Sequence, residues 1–204
     1  MESTTANQEL EVTVLPDEIP GWSNSDMFDL YDEVAAVLFS DLCTVVEVGV
    51  AYGRSLAYLA QALKNDGVRI VGVDTFHEHI GQDNLPPEVS KRMMALGTPI
   101  EAVRHNLKEC GLLERVELMH MPSVSAAGQF APESCDFVFI DADHRYPGVR
   151  ADIAAWYPKV RSGGILAGDD YDLDTYPGVV AAVEDAFGDC KRTIHGRVWK
   201  IVKP

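Results

Sequence analysis

The stretch Thr44–Ser55, TVVEVGVAYGRS, changes character twice along its length. Residues 44–48 are β-branched and apolar apart from Glu47, the composition of a central parallel strand buried on both faces. Gly49 and Gly53 then allow a sharp turn and let a ligand approach bare backbone. From Arg54 the period becomes helical, with Leu56, Leu59, Ala60 and Leu63 on one face. A helix N-terminus aimed at such a turn favours an anionic group. The spacing Gly49-x-x-x-Gly53 lacks the G-x-G-x-x-G of a dinucleotide site, which argues against a nicotinamide oxidoreductase. A purely structural turn between strand and helix would look similar, so the rest of the chain has to decide.

Working outward, VRIVGV at 68–73 reads as a second apolar strand with Asp74 at its tip. In an open α/β sheet that position can hold both hydroxyls of a ribose, or the acid can simply cap the next segment. Further on, strands are expected at 116–121, at 135–140 (CDFVFI) and at 165–167, with helices around Met93, at 100–110, 125–128, 147–158 and 179–187. Upstream, Asn24 or Ser25 caps a helix that runs to Ser40, with Met27, Leu30, Tyr31, Val34, Val37 and Leu38 as its apolar stripe. Residues 190–195 and 198–202 pair through Gly196 as a closing hairpin. Repeated alternation of strand and helix predicts an α/β, Rossmann-like doubly wound sheet of seven strands, mostly parallel, with an antiparallel C-terminal hairpin. Residues 1–20, polar and carrying Pro16 and Pro20, form an arm, and 21–204 a single domain. The irregular segment 77–99 is an insertion suited to a lid or substrate wall.

Seventeen basic residues against 32 acidic ones give a net charge of −15, which disfavours nucleic acid and anionic membranes as partners. Cys43, Cys110, Cys135 and Cys190 are widely spaced without a C-x-x-C, the pattern of free thiols rather than a disulfide or zinc framework. With no basic-then-apolar leader and no membrane-length apolar run, the expected location is cytoplasmic. His77 and His79 alternate with acids but have no third ligand at zinc spacing, so they are read as solvated loop histidines.

Two strands end in acids: 135–140 runs into Asp141-Ala142-Asp143-His144, and 165–167 into Gly168-Asp169-Asp170. Parallel strands deliver Asp141, Asp169 and Asp170 to the same edge as Gly49 and Asp74. Such a cluster calls for a divalent cation, magnesium being the natural choice for oxygen ligands, or else the acids cap the following helices. His144 can take a proton from a substrate hydroxyl, or can be structural.

In this order VVEVGVAYGRS, IVGVDTF, MPS, CDFVFIDADHRYPGVRADI and SGGILAGDDY resemble the class I S-adenosylmethionine-dependent methyltransferases. The resemblance is closest to the small branch of catechol O-methyltransferase-like and macrocin-type sugar O-methyltransferases, and it runs from about Trp22 to the C-terminus. It implies that Glu47, Gly49, Ala51, Tyr52, Gly53 and Ser55 hold the methionine part of S-adenosyl-L-methionine. It further implies that Asp74 and Thr75 hold the ribose, that Met121 and Ser123 flank the adenine, and that Asp141 touches the cofactor while binding Mg2+ with Asp169 and Asp170. Where catechol enzymes carry a lysine base this chain has His144, so His144 or Asp143 is expected to collect the proton. The implied substrate is a small molecule (a vicinal diol, catechol or sugar), with a homodimer as the expected assembly. A non-catalytic cofactor-binding protein of the same fold is the competing reading.

Overall fold

The computed structural model describes residues 14–37, 43–77, 86–188 and 192–204. Seven strands form one sheet: β1 (Thr44–Val48), β2 (Arg69–Asp74), β3 (Val116–His120), β4 (Cys135–Ile140), β5 (Val160–Gly168), β6 (Arg192–His195) and β7 (Val198–Val202). Their order is β3-β2-β1-β4-β5-β7-β6. β1 to β5 pair in parallel, and β7 runs antiparallel to both β5 and β6. This is the expected Rossmann-like doubly wound sheet with its antiparallel C-terminal hairpin, the order reversing beside β1.

The helices are α1 (Ser25–Val37), α2 (Arg54–Ala62), α3 (Pro87–Met94), α4 (Pro99–Glu109), α5 (Ser123–Ala127), α6 (Tyr146–Trp156) and α7 (Pro177–Phe187). Because side chains alternate along a strand, β1 and β4 feed two cores. Val45, Phe137 and Phe139 join Met27, Tyr31, Leu56, Leu59 and Leu107 on one face of the sheet. Val46, Val48, Val138 and Ile140 join Ile153, Trp156, Val183 and Trp199 on the other. Both central strands are therefore wrapped in apolar side chains, as their continuous apolar runs require.

Among the boundaries that differ from expectation, three have a local reason. β5 begins at Val160, not Ile165, because Gly163 and Gly164 bend the strand without ending it. Gly163 takes a positive φ of 72°, and both glycines exchange backbone hydrogen bonds with Lys203 (2.8 and 2.9 Å). α5 and α7 start two residues early, right after Pro122 and at Pro177, where proline suits the first helical turn. Val37, expected on the buried stripe of α1, is 54% exposed, and the predicted continuation to Ser40 lies outside the described residues. Cys190 and residues 78–85 of the predicted insertion, His79 among them, also lie outside the described residues, while the rest of the insertion carries α3. Cys43, Cys110 and Cys135 are buried and form no disulfide among the described residues, and burial pushes the Cys110 and Cys135 thiols up to about 11. Among the described residues no helix is long and apolar enough to cross a membrane. Residues 14–20 do not hang free: Pro16 and Ile19 are buried, and the Val14 amide donates to the Glu109 carbonyl (3.4 Å).

Candidate active site

The glycine turn sits at the carboxyl ends of β1 and β4. Gly49 adopts φ +94°, donates to the Val73 carbonyl (2.8 Å), and passes so near β4 that a Cβ would lie 1.8 Å from the Asp141 carbonyl oxygen. No other residue fits there. Gly53, φ +85°, closes the turn on the Val50 carbonyl (2.7 Å), and α2 starts at the next residue. Asp74 braces the turn from β2: its Oδ2 accepts from the Val50 and Ala51 amides (2.8 and 3.1 Å), and its Oδ1 from the Phe76 amide (2.7 Å). A nearly buried Asn106 on α4 holds the Tyr52 carbonyl (2.9 Å), a support with no counterpart in the sequence reading.

Glu47 is 1% exposed, and both its oxygens are satisfied inside the protein. Oε2 accepts from the Tyr31 hydroxyl (2.6 Å) and Oε1 from Ser55 Oγ (2.9 Å). Burial pushes its carboxyl up to about 8, and the hydrogen bonds from Tyr31 and Ser55 only partly oppose that. Tyr31 is raised in turn, first by burial and then by the adjoining Glu47. Thr75 follows Asp74 and is half-buried. Met121 donates its amide to the Asp74 carbonyl (3.0 Å), which puts the β3 turn beside the tip of β2. Ser123 Oγ accepts from Trp156 Nε1 (2.9 Å).

The acid edge lies one strand over. His144 Nε2 is 2.9 Å from Asp170 Oδ2 and 3.7 Å from Asp141 Oδ1, and one ligand atom from each of these three residues falls within 4.8 Å of the others. The His144 ring also lies 4.7 Å from that of Tyr176. Asp170, at a positive φ of 62°, is ion-paired with Arg197 from the β6–β7 turn. Asp169 stands outside that trio. Its Oδ2 accepts from Asn24 Nδ2 (2.9 Å), while its Oδ1 is buried with no partner among the described residues. Burial, then the negative charge of Asp141, raises the Asp169 carboxyl to about 7. Asp143 turns away to Arg145, whose guanidinium contacts it at 2.7 to 3.1 Å and holds its carboxyl below the usual range.

Sequence reasoning missed Asn24, Arg197, Tyr31 and Tyr176. Asn24 was legible as a helix cap, and it does accept from the Met27 amide (3.0 Å), but its second bond spans the molecule. The hairpin register could have placed Arg197 at the same sheet edge as Asp170.

A family model of the methyltransferase domain matches residues 46–171, more than half of the chain. The chain belongs to the methyltransferase-domain family. Its class I fold is that of an S-adenosylmethionine-dependent methyltransferase. An uncharacterised protein of Acanthamoeba polyphaga mimivirus is 25% identical over 163 residues, covering 79% of this methyltransferase and 67% of the viral protein. Among solved structures, the O-methyltransferase NovP superposes with a TM-score of 0.68 at 19% identity, covering 95% of this chain and 87% of its own. TomG of Streptomyces achromogenes, an O-methyltransferase of tomaymycin synthesis solved with S-adenosylmethionine, gives 0.61 at 18% identity, covering 90% and 82%. CalS11, a TDP-rhamnose 3′-O-methyltransferase of calicheamicin biosynthesis, gives 0.56 at 21%, covering 86% and 76%. At these identities the likeness concerns the fold.

Proposed function

We propose that this methyltransferase moves a methyl group to a hydroxyl oxygen of a small molecule in the cytoplasm, with His144 as the proton acceptor. S-adenosyl-L-methionine, once bound, supplies an electrophilic methyl on a sulfonium. The chain's own contribution is to position the acceptor oxygen and receive its proton. The observation that carries the reading is the meeting of His144, Asp141 and Asp170 on the same sheet edge as the Gly49–Gly53 turn. Asp170, 2.9 Å from Nε2, orients the ring and stabilises it once protonated, while Tyr176 walls one side. Asp143 is committed to Arg145, which leaves the proton to His144.

The residues also suit a hard divalent cation. Asp141 and Asp170 offer carboxylate oxygens, and the neighbouring Asp169 Oδ1, buried with no partner among the described residues, is the kind of oxygen that a cation satisfies. A cation there would acidify an acceptor hydroxyl, best one of two on neighbouring carbons, as in a vicinal diol, catechol or sugar. Arg197 favours a second reading without metal, because its guanidinium already neutralises Asp170. The test is calorimetric titration with S-adenosylhomocysteine, followed by methyl transfer from labelled cofactor to a panel of catechols and sugars with and without EDTA. Cofactor binding and EDTA-sensitive O-methylation are expected. Activity untouched by EDTA leaves the Arg197 reading, and absence of cofactor binding at millimolar concentration refutes the proposal.

A further inference from the structure

A cavity of about 490 Å³ is lined by residues 15–17, the start of α1 and the outward side chains of α2. That volume is of small-ligand size. None of Gly49, Val50, Ala51, Tyr52, Gly53 or Asp74 lines it, nor does Asp141, His144 or Asp170, so it is neither the cofactor cradle nor the acid trio. Its walls include Ser23 and Asn24, the aromatic residues Phe28 and Tyr58, and Arg54. Phe28 and Tyr58 stack on each other, with centroids 4.1 Å apart and planes 17° from parallel, which makes a rigid apolar floor.

Arg54 is the unusual member. In a chain of net charge −15 it is a half-buried cation with no carboxylate partner among the described residues. Its guanidinium donates once, from Nη1 to the Gly21 carbonyl (3.2 Å), and sits 5.9 Å from the Phe28 ring centre. Its Nε is buried without an acceptor among the described residues. By contrast Arg69, Arg145, Arg150, Arg161, Arg192 and Arg197 are all ion-paired. A planar cation with spare donors beside serine hydroxyls and an aromatic floor is built for an anion carried on a flat body. The opposing charge on the wall is Asp17.

We infer that this cavity is a second ligand site, separate from the cofactor cradle, which takes a carboxylate or phosphate group borne on an aromatic ring. Arg54 pairs with the anion and the Phe28–Tyr58 stack receives the ring. Asn24 lines this cavity and also bonds Asp169, which ties an occupant of the cavity to the acid edge of the active site.

The test uses the full chain and titrates phenyl phosphate and benzoate, with benzyl alcohol as the neutral control, in a calorimeter. Both anions are expected to bind and the alcohol to bind at least tenfold more weakly. Arg54→Met should weaken the anions by about tenfold or more, as loss of a charge-assisted pair does. Ser23→Asp, which leaves Arg54 in place but adds a negative charge to the wall, should weaken them as well, and Asp17→Asn should tighten them. Thermal melts verify that each variant is folded, and Ser23→Asp and Asp17→Asn decide the matter if Arg54→Met is not. Saturating phenyl phosphate should leave the affinity for S-adenosylhomocysteine unchanged. Equal binding of anions and alcohol, indifference to all three substitutions, or mutual displacement of phenyl phosphate and S-adenosylhomocysteine would each overturn the inference. The phenyl phosphate titration stands whether or not the cofactor binds, so failure of the methyltransferase reading is seen separately.

Discussion

Replacing Glu47 by Gln should make this protein more stable in mild base. The carboxyl sits fully buried with a folded-state value of about 8, against 4.5 for an ordinary glutamate. Unfolding therefore releases its proton at neutral pH. The native state holds more protons than the unfolded chain between those two values, so stability falls as pH rises through that interval and levels off above it. Each pH unit in the window is worth about 1.4 kcal/mol, so Glu47 alone removes roughly 2–3 kcal/mol between about pH 6 and pH 8. Glutamine keeps the shape: its carbonyl can accept from Tyr31, and its amide can donate to Ser55 Oγ once the hydroxyl rotates. Asp169 and Asp152, raised to about 7 and about 6 by burial, add slopes of the same sign, so the diagnostic quantity is the difference between variant and wild type. Urea unfolding at the two pH values measures it. Between pH 6 and pH 8 the stability advantage of Glu47→Gln over wild type should grow by roughly 2 kcal/mol. If the variant's stability falls with pH as steeply as that of wild type, the buried acid is not the cause and the reasoning fails.

Gly49→Ala should cost several kcal/mol, about 3 or more, since it combines a positive φ with a Cβ 1.8 Å from the Asp141 carbonyl oxygen, and a thermal melt would show it. A melt within a degree or two of wild type would mean that the turn relaxes easily. Arg161→Met removes the partner of Asp136, whose other oxygen holds the Thr44 amide at 2.8 Å. With the arginine side chain 45% exposed, solvent screening limits the expected loss to about 1–2 kcal/mol by urea unfolding. Arg197→Met takes the cation away from Asp170, so Mg2+ should raise the melting temperature of that variant more than that of wild type. An identical response to Mg2+ in both proteins would argue that the acids hold no metal.

The strands beneath the site were legible because their chemistry is local. β1 and β4 are mostly apolar runs, each with a single acid (Glu47 and Asp136), that end at Gly49 and Asp141, and nothing distant is needed to read them. Helix starts at proline and the bend at Gly163 were read less well, since the same residues serve both as breaks and as continuations. The site divides similarly. Asp74, Asp141, Asp170 and His144 could be placed at one edge from topology alone. What they bond to could not: Asn24 reaches Asp169 across 145 residues and Arg197 reaches Asp170 across 27, separations at which no period or spacing carries information. Glu47 illustrates the limit best. Its position in the motif was plain, but Tyr31, which gives it a buried partner, belongs to helix α1 rather than to the motif.

The sheet order also bears on how the molecule is made. β5 carries Asp169 and Asp170 at its tip, and its second neighbour is β7, which comes after β6 in the chain. Synthesis runs from the N-terminus, so a nascent chain that has already folded β1 to β5 presents β5 as a bare, apolar edge until residues 198–202 emerge. During that interval Asp170 has no Arg197 and Trp199 has not yet covered Gly168. The acid edge is thus complete only once β7, later in the chain than β6, has covered β5.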